Sequence, residues 1–213
     1  MRKEGFSNGE FYHVYNRGVD KRIIFIDNYD FGRFLQGIEE FNTIEPIGSI
    51  YENSFNNKSK KMPLKMPLVN LVAYCLNPNH YHLILKQREN KGIEKFMHKL
   101  GLGYAKFFNN KYKRSGSLFQ GKFKAKHINT NEYLLHLSAY VNLNSKAHRL
   151  GNRVSKSSIC DYKNKNNVLI NSEVILDQFK NFKEYEEFAN LSLKDILERK
   201  QLFKEMEGLL IES

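Results

Sequence analysis

Residues 69–85 read VNLVAYCLNPNHYHLIL, and how this stretch folds decides the architecture. The run 69–76 is apolar and rich in β-branched and aromatic residues, 77–79 is an Asn-Pro-Asn connection, and a second apolar run follows at once. Two such runs joined by so short a link predict an antiparallel hairpin. Side chains on its second arm repeat with period two, so His80 and His82 leave one face while Tyr81 and Leu83 leave the other. Two neutral imidazoles side by side on a rigid strand make half of a metal site. The remaining donors must come from elsewhere in the chain.

Upstream of the hairpin, FYHVYN at 11–16 has strand composition and stops at Arg17 and Gly18. Phe31, Phe34, Leu35 and Ile38 give 29–41 the spacing of a helix with one apolar stripe. Residues 46–68, rich in Asn, Lys, Ser and Pro, read as a flexible insertion. Downstream, Ile93, Phe96, Met97, Leu100, Tyr104 and Phe107 predict a helix over 92–112. A strand is expected over 118–126, with Lys122, Lys124 and Lys126 on one face and Phe123 and Ala125 on the other. Such a lysine face suits phosphate contacts, although a solvated outer face would show the same pattern. Asn129 to Glu132 resembles a capping box opening a helix that runs to about Asn144. The tail holds two expected amphipathic helices, the second starting from a capping box at Ser192 and Asp195. The reading is an α+β chain: a central antiparallel sheet flanked by helices over residues 1–152, and a C-terminal helical extension over 153–213.

Charge narrows the partner. Of 213 residues, 1–171 carry 28 Lys/Arg against 13 Asp/Glu, whereas the last 42 carry 6 against 10. The basic excess therefore belongs to the half with the histidine pair, as expected of a surface that meets a polyanion. Cys75 and Cys160 have no metal-ligand spacing, and Cys75 reads as a small buried hydrophobe. No signal peptide opens the chain and no apolar run reaches the roughly 20 residues that span a bilayer. A cytoplasmic, nucleoid-associated protein without membrane contact is expected.

Tyr140 and Asn144 stand four residues apart on the predicted helix and so share a face. Asn144 offers an amide oxygen, acceptable to a hard divalent ion, and Tyr140 offers a phenol. With His80 and His82 they suggest a definite chemistry. The ion, held by His80, His82 and Asn144, polarises a non-bridging oxygen of a phosphate that Tyr140 attacks in line. A phenol whose ordinary pKa is about 10 needs assistance from the ion, the basic surroundings or a base.

Four segments together resemble a known family: YHVYNRG at 12–18, YCLNPNHYH at 74–82, GSLFQGKF at 116–123 and YVNLN at 140–144. In order and spacing they are similar to the single-tyrosine transposases associated with repetitive extragenic palindromes, within the HUH nucleases. The resemblance implies a ferredoxin-like, RRM-like core and Mg²⁺ or Mn²⁺ on His80, His82 and Asn144. It also implies cleavage of single-stranded DNA by Tyr140, leaving a 3′-hydroxyl and a 5′-phosphotyrosine link. The substrates would be hairpins of palindromic elements. One departure is visible: Ser145 and Lys146 follow Asn144 where the family usually has Pro-Val, so the helix end is expected to be longer or looser.

Arg114, Lys122, Lys124 and Lys126 are the expected DNA contacts. Phe119 and Tyr133 could stack on bases, but core packing is the simpler reading. His13 reads as a structural hydrogen-bonding residue. His136, one turn before Tyr140, could act on the phenol, though a surface role is commoner for a helix histidine. The tail could clamp a DNA hairpin, form a homodimer or brace the catalytic part. Alternative functions are an HUH replication initiator or relaxase, a domesticated DNA-binding protein without transposition, and a structural zinc site. Relaxases commonly use a third histidine, and the sequence spacing shows no such cluster.

Overall fold

A computed structural model describes residues 5–45, 47–52, 66–147, 154–165 and 169–211; side chains are described up to residue 199, except that of residue 147. Most of the expected insertion at 46–68 lies outside the described residues. The hairpin forms where the sequence puts it, as β2 (Val69–Asn77) and β3 (His80–Gln87), joined by Pro78 and Asn79 alone. Antiparallel register sets Asn77 opposite His80 and Cys75 opposite His82. β1 (Phe11–Arg17) pairs with β3 on its other edge, with Tyr15 opposite His82 and Arg17 opposite His80. β4 (Lys124–Ile128) and the two-residue β5 (Lys156–Ser157) complete a five-stranded antiparallel sheet in the order β4-β1-β3-β2-β5.

Because the pleat alternates, one face of this sheet is apolar and the other carries the polar row. On the apolar face lie α1 (Asn28–Phe41) and α2 (Gly92–Lys111). The Phe34 ring there meets Tyr81 at 5.1 Å and Tyr104 at 5.0 Å. A capping box between Asp27 and Asp30 starts α1, and Lys111 at the end of α2 pairs with both carboxylates, at 2.7 and 2.8 Å. Against the polar face packs α3 (Asn131–Asn142), followed after Leu143 by one further turn, α4 (Asn144–Ala147). Among the described residues no helix is long and apolar enough to cross a membrane.

The hairpin turn is clamped from outside. The Pro78 carbonyl accepts from the Ile24 and Phe25 amides at 2.7 and 3.0 Å, and the Asn79 carbonyl accepts from the Gly18 amide at 2.9 Å. Gly18 is required there, since a Cβ would lie 2.3 Å from the Arg22 carbonyl oxygen. The turn that presents His80 is therefore held chiefly by backbone, with the Asn79 side-chain amide adding a bond to the Lys21 carbonyl at 3.2 Å.

Three expectations need correction. The strand expected over 118–126 is confined to Lys124–Ile128. The chain turns at Gly121, whose φ is +70°, and Phe119 is used instead in a bridge to Gly18. No capping box opens α3: Thr130 is the N-cap, and its hydroxyl accepts from the Tyr133 amide at 3.1 Å. The tail's second helix does not start at Ser192. After α5 (Ile159–Asn164) and the short α6 (Glu173–Leu176), a single helix α7 spans Phe182–Ile211. Ser192 sits within it, buried, its hydroxyl 2.7 Å from His136 Nδ1.

This contact belongs to a buried polar seam between tail and sheet. Tyr185 Oη accepts from Asn142 Nδ2 at 2.8 Å, Ser158 Oγ donates to Asn142 Oδ1 at 2.6 Å, and the Tyr74 amide donates to Ser158 Oγ at 2.9 Å. The end of α3 is thus locked onto β2 by residues from the tail. Tyr185→Phe leaves the buried Asn142 amide without that acceptor, and a loss of about 1–3 kcal/mol is expected. Urea unfolding of the full chain measures it; an unchanged midpoint would show that the seam contributes nothing.

Candidate active site

The polar face is organised in rows by strand register. One row runs Lys124, Tyr15, His82, Cys75 and Ser157; the next holds Arg17, His80 and Asn77. Tyr140 on α3 reaches this face, its ring perpendicular to that of His82 with centroids 5.9 Å apart. Asn144, fully buried, puts Oδ1 3.4 Å from His80 Nε2. His80, His82, Tyr140 and Asn144 are therefore brought together. The break at Leu143 does not separate Tyr140 from Asn144, because the Leu143 amide still bonds the Ala139 carbonyl at 3.0 Å.

Hydrogen bonds set the imidazole protonation. His80 Nδ1 lies 2.6 Å from Asn79 Oδ1, an atom that can only accept, so the proton sits on Nδ1 and Nε2 keeps its lone pair. The Nδ2 amide of Asn77 points at that lone pair from 2.9 Å and at Asn144 Oδ1 from 2.6 Å. His82 Nδ1 lies 2.9 Å from His13 Nε2, so one ring donates and the other accepts. Burial, assisted by the nearby Lys126 charge, pushes His13 down to about 4, and it is neutral at physiological pH. When His82 is the donor, its Nε2 carries the lone pair, the tautomer a metal ligand needs. Three imidazoles are thus neighbours, the His82 ring centre standing 5.1 Å from those of both His13 and His80, a cluster hidden in the sequence by the distance from 13 to 80. The third meets the rear nitrogen of His82.

Among the described residues no group of three His, Cys, Asp or Glu side chains is placed to hold a metal ion. The polar atom that stands nearest this pair from the helix is instead an amide oxygen, Asn144 Oδ1. Two imidazole nitrogens and a carbonyl-type oxygen make a borderline set suited to a divalent ion that tolerates nitrogen, and Asn144 is oriented with its oxygen toward His80.

A cleft of about 690 Å³ opens over the pair, lined by Tyr15, Arg17, Lys21, Lys124, Gln120 and Tyr140 among others. Lys124 is the one expected DNA contact in its lining. Lys126 lies one row away, its ammonium 5.0 Å from the centre of the Tyr133 ring. Lys122 is exposed ahead of β4. Arg114 is turned to the end of α2, where it donates to Asn109 Oδ1 at 2.8 Å. Arg17, which donates to Gln120, and Lys21 supply the cleft's other cations; sequence reasoning missed both. Asn77 was missed too, although a two-residue turn puts 77 opposite 80, so the register alone could have revealed it. Phe119 is in the core against Tyr81 and Tyr104. His136 is docked on Ser192 and Phe188 of the tail.

Comparison with known proteins gives three findings. A solved structure, that of a REP-associated tyrosine transposase bound to a REP hairpin, is similar at 12% identity, with 71% of this chain and 74% of that one covered and a TM-score of 0.44. No curated protein matches. The model of the family "Transposase IS200 like" matches residues 52–144. The part of this chain that holds the histidine pair, Tyr140 and Asn144 is thus the part that matches the IS200-like transposases.

Proposed function

We propose that this protein is a metal-dependent transposase that nicks and rejoins single-stranded, hairpin-flanked DNA through a covalent tyrosine intermediate. The observation that carries the reading is the convergence of Tyr140 and Asn144 from a helix on His80 and His82 from a strand, although His80 and Asn144 are 64 residues apart in sequence. A binding module has no need of a phenol beside two imidazoles, each hydrogen-bonded from behind.

Arg17, Lys21 and Lys124 draw the DNA backbone into the cleft and hold it by its phosphates. Tyr140 Oη attacks the phosphorus, the bond to the 3′-oxygen breaks, and the phenolic proton leaves toward solvent. The departing 3′-oxygen takes up a proton, and the 5′-phosphate remains esterified to Tyr140. In the reverse step a 3′-hydroxyl attacks the phosphotyrosine and releases the phenol. The phosphodiester's free energy is kept throughout, so no nucleotide cofactor enters. A Mg²⁺ or Mn²⁺ ion held by His80, His82 and Asn144 would neutralise charge developing on the non-bridging oxygens. Asn79 sets the His80 tautomer from behind, and His13 is the hydrogen-bond partner of the rear nitrogen of His82. Residues 1–152 form the catalytic unit in this reading, and 153–213 an extension that braces α3.

The reading is tested with end-labelled hairpin oligonucleotides carrying single-stranded flanks, incubated with the full chain in Mn²⁺. Nicking that requires the ion and spares the fully paired duplex is expected; binding without nicking contradicts the proposal. The support from behind has its own test. His13→Leu should weaken Mn²⁺ binding about 10-fold or more, as loss of a partner behind a metal-bound histidine does, while His13→Gln, which keeps an acceptor, should recover most of it. Equal affinities in the two variants would remove His13 from the account.

A further inference from the structure

Asn77 belongs to no part of the chemistry above, yet it is the best-placed polar group beside it. It is the last residue of β2, fully buried, and paired in register with His80. Its Nδ2 lies 2.6 Å from Asn144 Oδ1 and 2.9 Å from His80 Nε2, so one amide group faces two of the three lone pairs assigned to the ion. An amide N–H carries partial positive charge, and it satisfies these acceptors as a cation would. On its other side the Asn77 carbonyl has, among the described residues, one weak partner, the Cys75 thiol at 3.5 Å. The Asn144 Nδ2 amide, also buried, has no hydrogen-bond partner among the described residues. Half of this buried amide pair is thus well bonded and half is not, which is unusual for polar groups fully out of water.

We propose that Asn77, by a half-turn about its terminal side-chain bond, serves as a fourth protein ligand to the ion. The inference rests on the reading that His80, His82 and Asn144 bind a divalent ion. The half-turn gives up the thiol contact, brings Oδ1 toward the ion and turns Nδ2 toward the sulfur. Both amide oxygens then serve as hard neutral donors, and the two imidazoles supply nitrogen. No protein carboxylate takes part, so the ion keeps its full charge for the DNA phosphate. Such a neutral set also binds the ion weakly until the phosphate arrives, since affinity in oxygen-donor sites rises with ligand charge.

The test is titration of Mn²⁺ into the full chain without DNA, followed by calorimetry and by the electron-spin signal of the free ion. Asn77→Asp replaces the amide by a charged oxygen donor of the same size and should bind Mn²⁺ at least tenfold more tightly than the wild type. Asn77→Leu keeps the volume without a donor and should bind at least tenfold more weakly. Equal or tighter binding by Asn77→Leu would make the amide an obstacle to the ion, and no gain in Asn77→Asp would remove it from the ligand set; either result overturns the proposal. Should Asn77→Leu fail to fold, the aspartate variant decides alone. The underlying reading fails separately: wild-type Mn²⁺ affinity that persists in the His80→Ala, His82→Ala double variant places the ion elsewhere.

Discussion

Tyr140→Phe is expected to abolish the covalent protein–DNA adduct and to reduce strand cleavage by at least three orders of magnitude, on the order seen when an enzyme loses its nucleophile. The substitution removes one oxygen and little else. The ring is half-buried and packs edge-on against His82 at 5.9 Å, a contact that phenylalanine retains. Thermal stability should therefore stay near that of the wild type. DNA affinity should change by no more than about fivefold, since one hydroxyl contributes roughly a kcal/mol to binding. Cleavage is read from nicked oligonucleotide and affinity from anisotropy of the same labelled strand. A variant that still cleaves at more than a few per cent of the wild-type rate would mean that another residue, or water, attacks the phosphorus.

The second large effect is expected from the double substitution His80→Ala and His82→Ala. If the pair holds the ion as proposed, its loss should lower cleavage by at least about 10²–10³-fold, since an ion's contribution to phosphate chemistry is several kcal/mol. Added Mn²⁺ should not restore the rate. Part of the consequence is structural. His82 is the hydrogen-bond partner of His13, and His80 bonds Asn77 and Asn79, so three polar groups are left with fewer partners. A loss of stability of about 1–3 kcal/mol is expected in addition. A melting curve recorded beside the cleavage assay separates the two. A folded double variant that cleaves normally in Mn²⁺ would detach the histidine pair from the chemistry.

The hairpin was legible because three signals agree there: β-branched runs, a two-residue link and period-two alternation. α1 and α2 were legible because each has one apolar stripe to bury. The strand expected over 118–126 misled for a physical reason. Its lysine alternation is real, but Gly121 turns the chain, and only the second half finds an edge of β1 to pair with. Ser192 misled in a similar way. Its spacing to Asp195 resembles a helix start, whereas tertiary contact with His136 keeps it inside α7.

In the site, Tyr140 and Asn144 could be placed on one face by their spacing alone. His13 and Arg17 could not be joined to the pair by any local rule, because their roles depend on β1 lying beside β3. Arg114 shows the opposite limit: a basic residue in a promising segment is used to finish α2. Charge counting located the basic excess in residues 1–171 without saying which cations line the cleft.

The most direct test of the central claim is the chemical identity of the adduct. The full chain is incubated with Mn²⁺ and single-stranded hairpin DNA, the adduct is digested with protease and nuclease, and the nucleotide-bearing peptide is sequenced by mass spectrometry. The expected result is a nucleotide joined through its 5′-phosphate to Tyr140, with a free 3′-hydroxyl on the released strand. A nucleotide on any other residue, or cleavage that leaves no protein-linked DNA, would contradict it.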